Sequence, residues 1–244
     1  MIKRQTLTSQ VIEYVLNLIK TGKVKPGEKL PTEKALTETL GVSRTCVREA
    51  MKSLESLRRI AVRPRVGAMV LEPSSAALFN AEHLSTAAHL QRTDFLIEFR
   101  KILEVGLAPL AAEKADQEDL RAMEQAIDDH RRAVETGQLA YLADIAFHGA
   151  IADASKNPIA IMVFETILEP LIEQRRLTNA VPNAAEAGLR DHLKIFAAIK
   201  KRNPEKARAL MRAHMETAEH YWRIASAGIA VEEMAAKLES AVPA

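Results

Sequence analysis

Apolar residues recur at helical spacing along most of this chain, and one short stretch breaks that period. Val11, Ile12, Val15, Leu18 and Ile19 share a face of a first helix, which Thr8 or Ser9 is placed to cap and Gly22 to stop. A connection punctuated by Pro and Gly follows, from Val24 to Pro31. Thr32 then heads a short second helix with Ala35, Leu36 and Leu40 inward. Glu33 sits in its first turn, where a carboxylate suits the positive helix end. Gly41 supplies a turn, Val42 plugs the space beneath it, and Ser43 caps a third helix running from Arg44 to about Leu57. The inward face of that helix is Val47, Ala50, Met51 and Leu54. The period then changes. Ile60 to Arg63 and Ala68 to Leu71 are short β-prone runs around Pro64-Arg65-Val66-Gly67, which reads as a hairpin. Three helices and a basic hairpin predict a winged helix-turn-helix over residues 1–73.

Beyond the Pro73-Ser74-Ser75-Ala76-Ala77 junction the text becomes alanine- and leucine-rich, with few glycines and no convincing strand. Residues 74–92 read as a linker and connecting helix, with helical pattern over 75–91. Further helices are predicted over 94–115, 117–136, 138–154, 157–178, 186–201 and 204–227, with a weaker one over 231–239. Gly137, Pro158, Pro182 and Pro204 mark the boundaries. Short loops between such helices describe an antiparallel all-α bundle over 93–228, read as an effector-binding and dimerisation domain, with 229–244 as an extension. The fold class is mainly α.

The net charge of +2 hides an asymmetry. Residues 1–73 carry 14 Lys+Arg against 7 Asp+Glu, whereas residues 74–244 carry 20 against 25. A basic head on an acidic body suggests that the head binds a polyanion. Cys46 is the one cysteine, which excludes an internal disulfide and fits a reducing cytoplasm. No apolar run reaches 18 residues and the N-terminus lacks a signal core, so the expected location is cytoplasmic.

Ser43, Arg44, Thr45 and Arg48 open the third helix, where backbone N–H groups and hydroxyls suit phosphate and arginines can reach guanine edges. Arg44 and Arg48, four apart, share a face. The segments P-G-E-K-L-P-T-E-K-A-L and L-G-V-S-R-T-C-V-R-E-A resemble the N-terminal domain of the GntR family of bacterial transcriptional regulators, over residues 7–73. By position the resemblance implies DNA contacts from Lys34, Ser43, Arg44, Thr45, Arg48 and the wing residues Arg65 and Gly67. Lys34 stands where the family often has Arg, which exchanges a bidentate base contact for a point charge on phosphate. Where members carry Glu-Gly-Leu-Val after the recognition helix, this chain has Leu57-Arg58-Arg59-Ile60. Without that glycine, either the helix runs further or Arg58 adopts a strained conformation.

Asp144 and His148, four apart on a predicted helix, can grip one metal ion. His192 and His214 lie on two other helices. His83, His89, His130 and His220 are assigned to surface or satisfied core positions, and nothing in the spacing of Arg175 and Arg176 separates them from surface charge. E-F-R-K-I-L-E, D-I-A-F-H-x-x-I-x-x-A-S-x-N-P, H-L-K-I-F-A-A-I and A-x-x-L-M-x-x-H-M resemble the effector domain of the FadR-type subgroup, over residues 93–222. The resemblance implies Asp144, His148, His192 and His214 as ligands of a divalent transition metal, zinc foremost, with nickel, manganese or iron compatible. It also implies Arg100 and Asn157 as effector-binding residues, Arg100 having a salt bridge to Glu104 as its competing role.

The resulting expectation is a homodimeric regulator, read as a repressor, that binds a palindromic double-stranded operator and is switched by a small organic acid beside the metal. Two other readings stand beside it. In one the metal is structural or is itself the signal; in the other the chain is a metal-dependent enzyme. Against the enzyme, there is no H-E-x-x-H, no nucleophile with an evident base and no glycine-rich phosphate loop.

Overall fold

The computed structural model describes residues 6–57, 59–63, 66–71 and 94–241. The predicted helix over 75–91, and with it the linker, lies outside the described residues, as do Arg58, Pro64 and Arg65. The head consists of α1 (Leu7–Lys20), α2 (Glu33–Leu40), α3 (Arg44–Ser56), β1 (Ile60–Arg63) and β2 (Gly67–Val70). The strands pair antiparallel, Ile60 opposite Val70 and Arg63 opposite Gly67. The connection before α2 joins this hairpin. Gly27 N–H donates to Val70 O, Val70 N–H to Glu28 O, and Leu30 N–H to Ala68 O.

Local chemistry sets the helix ends. Thr6, rather than Thr8 or Ser9, caps α1, its side chain accepting from Ser9 N. Thr32 and Ser43 cap α2 and α3 as expected, accepting from Ala35 N and Cys46 N. Gly41 closes α2 at φ 64°, a left-handed conformation costly for any residue with a Cβ. At the other end, α3 stops at Ser56 and does not run on. Leu57 and the Arg59 N–H, which donates to Leu54 O, finish the turn.

The second body is all-helical among the described residues: α4 (Asp94–Lys114), α5 (Gln117–Glu135), α6 (Tyr141–Ala154), α7 (Pro158–Thr166), α8 (Leu168–Asn179), α9 (Ala184–Lys200) and α10 (Pro204–Ala241). Two differences from the sequence pattern have physical causes. The helix expected over 157–178 is two helices broken at Ile167, because Pro170 has no N–H for an interior position. In the first turn of α8 that N–H has no helical partner to lose. The helices expected over 204–227 and 231–239 are one, since no residue between them stops a helix. Capping is reciprocal at α5, where Asp116 accepts from Asp119 N and Asp119 accepts from Asp116 N.

Two apolar clusters hold these bodies. Val11, Val15, Leu36, Val47, Leu54 and Ile60 centre the head. Ile97, Leu107, Met123, Phe147, Ile195 and Met211 centre the bundle. The clusters touch: Leu57, at the end of α3, belongs to the bundle cluster, and Leu142 of α6 packs against that of the head. Gly41→Ala is expected to lower head stability by about 1–2 kcal/mol, the cost of a Cβ in left-handed backbone. Denaturant unfolding of wild type and variant, followed by a probe in the head, measures this.

Candidate nucleic-acid interface and candidate metal centre

On α3, the residues that face away from Val47, Ala50 and Leu54 are the predicted readers. Ser43, Arg44, Thr45 and Arg48 are all exposed. Arg48 Nε donates to Glu33 Oε2 at 3.0 Å, linking α3 to the first turn of α2. At this exposure the bond is worth little and is free to exchange for a phosphate. Lys34 is exposed one turn before Glu38, 3.9 Å away. Gly67 is exposed at φ 99°, where the wing turns back. Arg65 lies outside the described residues, so its place relative to these groups is not described.

The second constellation lies at the centre of the bundle. Asp144 and His148 come from α6, His192 from α9 and His214 from α10, and all four are buried. His148 Nε2 and His214 Nε2 are 3.2 Å apart, His192 Nε2 is 3.6 Å from Asp144 Oδ1, and His148 Nε2 is 3.9 Å from Asp144 Oδ2. Two bare imidazole nitrogens at 3.2 Å can share one proton. They also sit at the spacing of two donors around one small cation, whose bonds to nitrogen run about 2.0–2.1 Å. Neither ring nitrogen of His192 has a hydrogen-bond partner among the described residues. The donor set therefore fits a divalent transition metal.

The outer nitrogens are held from behind. Glu104 of α4 abuts His148 Nδ1, and Asp191 of α9 lies 3.6 Å from His214 Nδ1. A carboxylate behind an imidazole keeps the proton on the outer nitrogen and turns the inner lone pair to the centre. Arg100 Nε donates to the other oxygen of Glu104 at 2.6 Å, and Arg175 Nε lies 2.8 Å from Asp144 Oδ2. Arg100 thus makes the competing salt bridge, yet its Nη1 and Nη2 have no hydrogen-bond partner among the described residues. Burial alone drives carboxyl pKa values up. Arg175 and the histidines outweigh it at Asp144, and Arg100 and His148 outweigh it at Glu104, so both carboxyls are held below their ordinary range.

Several residues here escaped the sequence reading. Arg175 is buried against Asp144 and also reaches His148 Nε2 at 3.4 Å, while Arg176 is half-exposed and paired with Glu173. His130 is buried beside His192, its Nε2 2.9 Å from Ala185 O, so the surface or satisfied-core assignment holds only in part: its Nδ1 has no partner among the described residues. Its neighbour Gly188 leaves room, since a Cβ there would stand 3.5 Å from the His130 ring and 3.6 Å from Asp144. Gln174, next to Arg175, is buried with both amide atoms unpartnered among the described residues. His220 is exposed as expected, and His83 and His89 lie outside the described residues. Asn157 has a second role. Its Oδ1 accepts from Ile159 N and Ala160 N as the cap of α7, which commits that oxygen to the helix end.

An arginine-bearing helix on a basic winged head, joined to a helical body with a buried polar centre, defines a DNA-binding regulator with a sensing domain. A model of bacterial regulatory proteins of the gntR family matches residues 7–70, and a model of the FCD domain matches residues 95–217. The chain is 33% identical to the HTH-type transcriptional regulator YcbG of Bacillus subtilis, over 88% of this chain and 89% of that protein. It is 32% identical to LutR, another HTH-type transcriptional regulator of that organism, over 83% of this chain and 94% of the relative. It is 27% identical to the HTH-type transcriptional repressor NanR of Cronobacter sakazakii, over 91% and 88%. The chain belongs to the GntR family of transcriptional regulators and carries an FCD domain. These relatives are regulators, which sets the enzyme reading aside. Among the described residues no helix is long and apolar enough to cross a membrane.

The buried imidazoles carry a pH signature. Burial, first, and then neighbouring positive groups push His192 well below 6.5, and burial holds His214 down to about 4 against an upward pull from its hydrogen bond to Asp191. Both are therefore neutral near pH 7. Below pH 6.5 the unfolded chain takes up protons that the folded bundle refuses, so stability falls as pH drops from 6.5 toward 4. The carboxylates Glu104 and Asp144, held below their ordinary values of 4.5 and 3.8, add losses at the acid end of that window and below it. Thermal unfolding of chelator-treated protein is expected to show a Tm that declines below pH 6.5, and a shallower decline in His214→Gln.

Proposed function

We propose that this chain is an operator-binding repressor that works as a homodimer in the cytoplasm and is switched by a small organic acid at a metal site in its helical body. Residues 1–73 form the reading head and 93–228 the sensing and dimerisation body, joined by 74–92. The single observation that carries the reading is the convergence of Asp144, His148, His192 and His214 in a buried centre, with carboxylates behind two of the rings. These four residues hold the metal, zinc foremost, and the metal supplies a positive charge that attracts a carboxylate effector.

The protein's own residues do the rest. Arg175 faces Asp144 and Arg100 faces Glu104, so the ionised side chains of the centre already balance one another. A divalent ion added to a balanced, buried set leaves an excess of positive charge, and an anion relieves it. Arg100 is placed to hold that anion, because two of its nitrogens remain to donate. Glu104 keeps the guanidinium and the His148 ring in fixed orientation to one another.

In the head, Arg44, Thr45, Ser43 and Arg48 enter the major groove while Lys34 and the wing at Arg65 and Gly67 meet the backbone and the adjacent minor groove. Two heads related by a two-fold axis read a palindrome. The effector switches them only to the extent that it binds one arrangement of the heads better than the other.

Two measurements separate the parts. Arg44→Ala is expected to lose operator binding by roughly tenfold or more, about 1–3 kcal/mol, in a mobility-shift titration, with bound metal unchanged. Unchanged affinity and salt dependence in that variant would reject the recognition-helix assignment. His148→Ala is expected to lose about one equivalent of metal by elemental analysis, together with the thermal stabilisation that small carboxylic acids give the wild type. Retention of both would remove the metal-anchored pocket and leave the DNA-reading head intact.

A further inference from the structure

His130 of α5 is fully buried at the centre of the bundle, and the metal site proposed above makes no use of it. One of its ring nitrogens, one of His192 and a carboxylate oxygen of Asp144 lie within 4.8 Å of one another. The same holds for one nitrogen each of His148, His192 and His214. Donors on one ion stand about 3–4 Å apart when each bond is about 2.0–2.2 Å long. Both triads are therefore within a small side-chain adjustment of holding a cation. They share His192, and Asp144 adjoins both.

Three features mark the second triad as a site rather than a chance neighbourhood. His130 Nε2 donates to Ala185 O at 2.9 Å, which leaves Nδ1 as the bare nitrogen, and Nδ1 has no partner among the described residues. An acceptor behind one nitrogen and a lone pair on the other is the arrangement that holds a ligating imidazole. Glu104 and Asp191 give it to His148 and His214. Asp144 divides its two oxygens. Oδ2 takes Arg175 at 2.8 Å and lies 3.9 Å from His148 Nε2, while Oδ1 lies 3.6 Å from His192 Nε2. Gly188 is the third feature. It stands inside α9, where glycine is a poor helix former, and its φ is not one that demands glycine. A Cβ there would meet both the His130 ring, at 3.5 Å, and Asp144 Oδ1, at 3.6 Å, in ordinary contact. Packing would accept alanine; glycine keeps open the space that His130 and Asp144 share.

We propose that His130, Asp144 and His192 form a second cation seat beside the first, taken in alternation with it and suited to a six-coordinate divalent ion such as Mn²⁺ or Fe²⁺. The first seat offers three nitrogens and an oxygen, a set rich in imidazole that suits zinc. The second offers two nitrogens and an oxygen and leaves positions for water or a carboxylate. Two histidines and one carboxylate with open positions is a pattern that six-coordinate ions use. Alternation follows from His192 and from charge. A neutral imidazole has one lone pair, so His192 serves one ion at a time. Two divalent ions beside a single carboxylate that already faces Arg175 would also repel strongly out of water. The inference rests on the metal reading above and adds a seat to it.

Metal titration of the chelator-treated full chain tests it, with thermal unfolding as the control for folding. Mn²⁺ is read from the electron paramagnetic resonance of the free ion, and Zn²⁺ by competition with a chelating dye. Wild type is expected to bind about one Mn²⁺ per chain, which about one equivalent of Zn²⁺ displaces. His130→Phe keeps a ring and removes its nitrogens; Gly188→Ala fills the shared space with a methyl and leaves every donor in place. Both are expected to weaken Mn²⁺ binding at least about tenfold while Zn²⁺ affinity stays within about threefold. Gly188→Ala is also expected to keep or raise the Tm, since alanine is the better helix former. His214→Ala is expected to do the reverse and weaken Zn²⁺ far more than Mn²⁺. Unchanged Mn²⁺ affinity in either of the first two variants would overturn the second seat. So would an equal loss of both ions in His130→Phe, which would make that ring a prop of the first seat. Mn²⁺ and Zn²⁺ bound together would overturn the alternation. A wild type that binds neither ion removes the metal reading and this inference together; each of the other results leaves that reading standing.

Discussion

Taking ionisable groups out of water is the constraint around which the bundle is arranged. Arg100, Glu104, Asp144, Arg175 and four histidines occupy its centre, all buried. An unpaired charge there costs several kcal/mol, and breaking a buried pair about 3–5 kcal/mol. The sequence meets that cost by bringing opposite charges from different helices: Arg100 and Glu104 on α4, and Asp144 on α6 against Arg175 on α8. His130, His192 and His214 fill places among them because burial holds these rings neutral. Small residues make room, with Ala108, Ala111, Ala112, Ala150 and Ala154 buried on the helices that carry or adjoin these long side chains. Alanine-rich text in this chain therefore marks where the centre must admit bulky polar groups, as well as where helices form readily.

The same helix that carries Asp144 and His148 inward also touches the head. Leu142, two residues before Asp144, packs against the apolar cluster of the head, and Leu57, the first residue after α3, joins the cluster of the bundle. A change in the placement of α6 would reach the end of α3 through these apolar contacts. Close-packed side chains transmit such shifts because they have few intermediate arrangements. Leu57 is also where this sequence leaves the family pattern at the end of α3, so its burial gives that departure a packing reason.

How much of this was legible in the sequence depended on whether the signal was local. The caps Thr32 and Ser43, the turn at Gly41 and the hairpin strands follow from residues adjacent in the chain, and the structure places them there. The break at Ile167 was also local, written in Pro170, but the apolar period running through it concealed the stop. The capping role of Asn157 was local too, since a proline follows it at the first position of the helix. The roles of Arg175, His130, Gln174 and Asp191 were not local at all. Each depends on which helix lies opposite, and spacing on one helix carries no record of that. Glu104 was visible only as a partner for Arg100, since its contact with His148 joins residues 44 apart.

Charge balance favours the proposed switched centre over a merely structural one. A structural site is complete when its ligands neutralise and saturate the ion, as thiolate sites do. Here the one carboxylate among the four donors is already opposed by Arg175, and an imidazole that binds an ion does so as a neutral ligand. A divalent ion on these donors is left undercompensated in a medium where that is costly. Arg100 meanwhile keeps two buried nitrogens without partners among the described residues, a further cost that packing alone would have removed. Both deficits are relieved by one group, a carboxylate that brings negative charge to the ion and acceptors to the guanidinium. On the proposed reading, an FCD domain arranged in this way would be poorly satisfied without a carboxylate, and a ligand that relieves the deficit in one arrangement more than in another would bias the position of the heads.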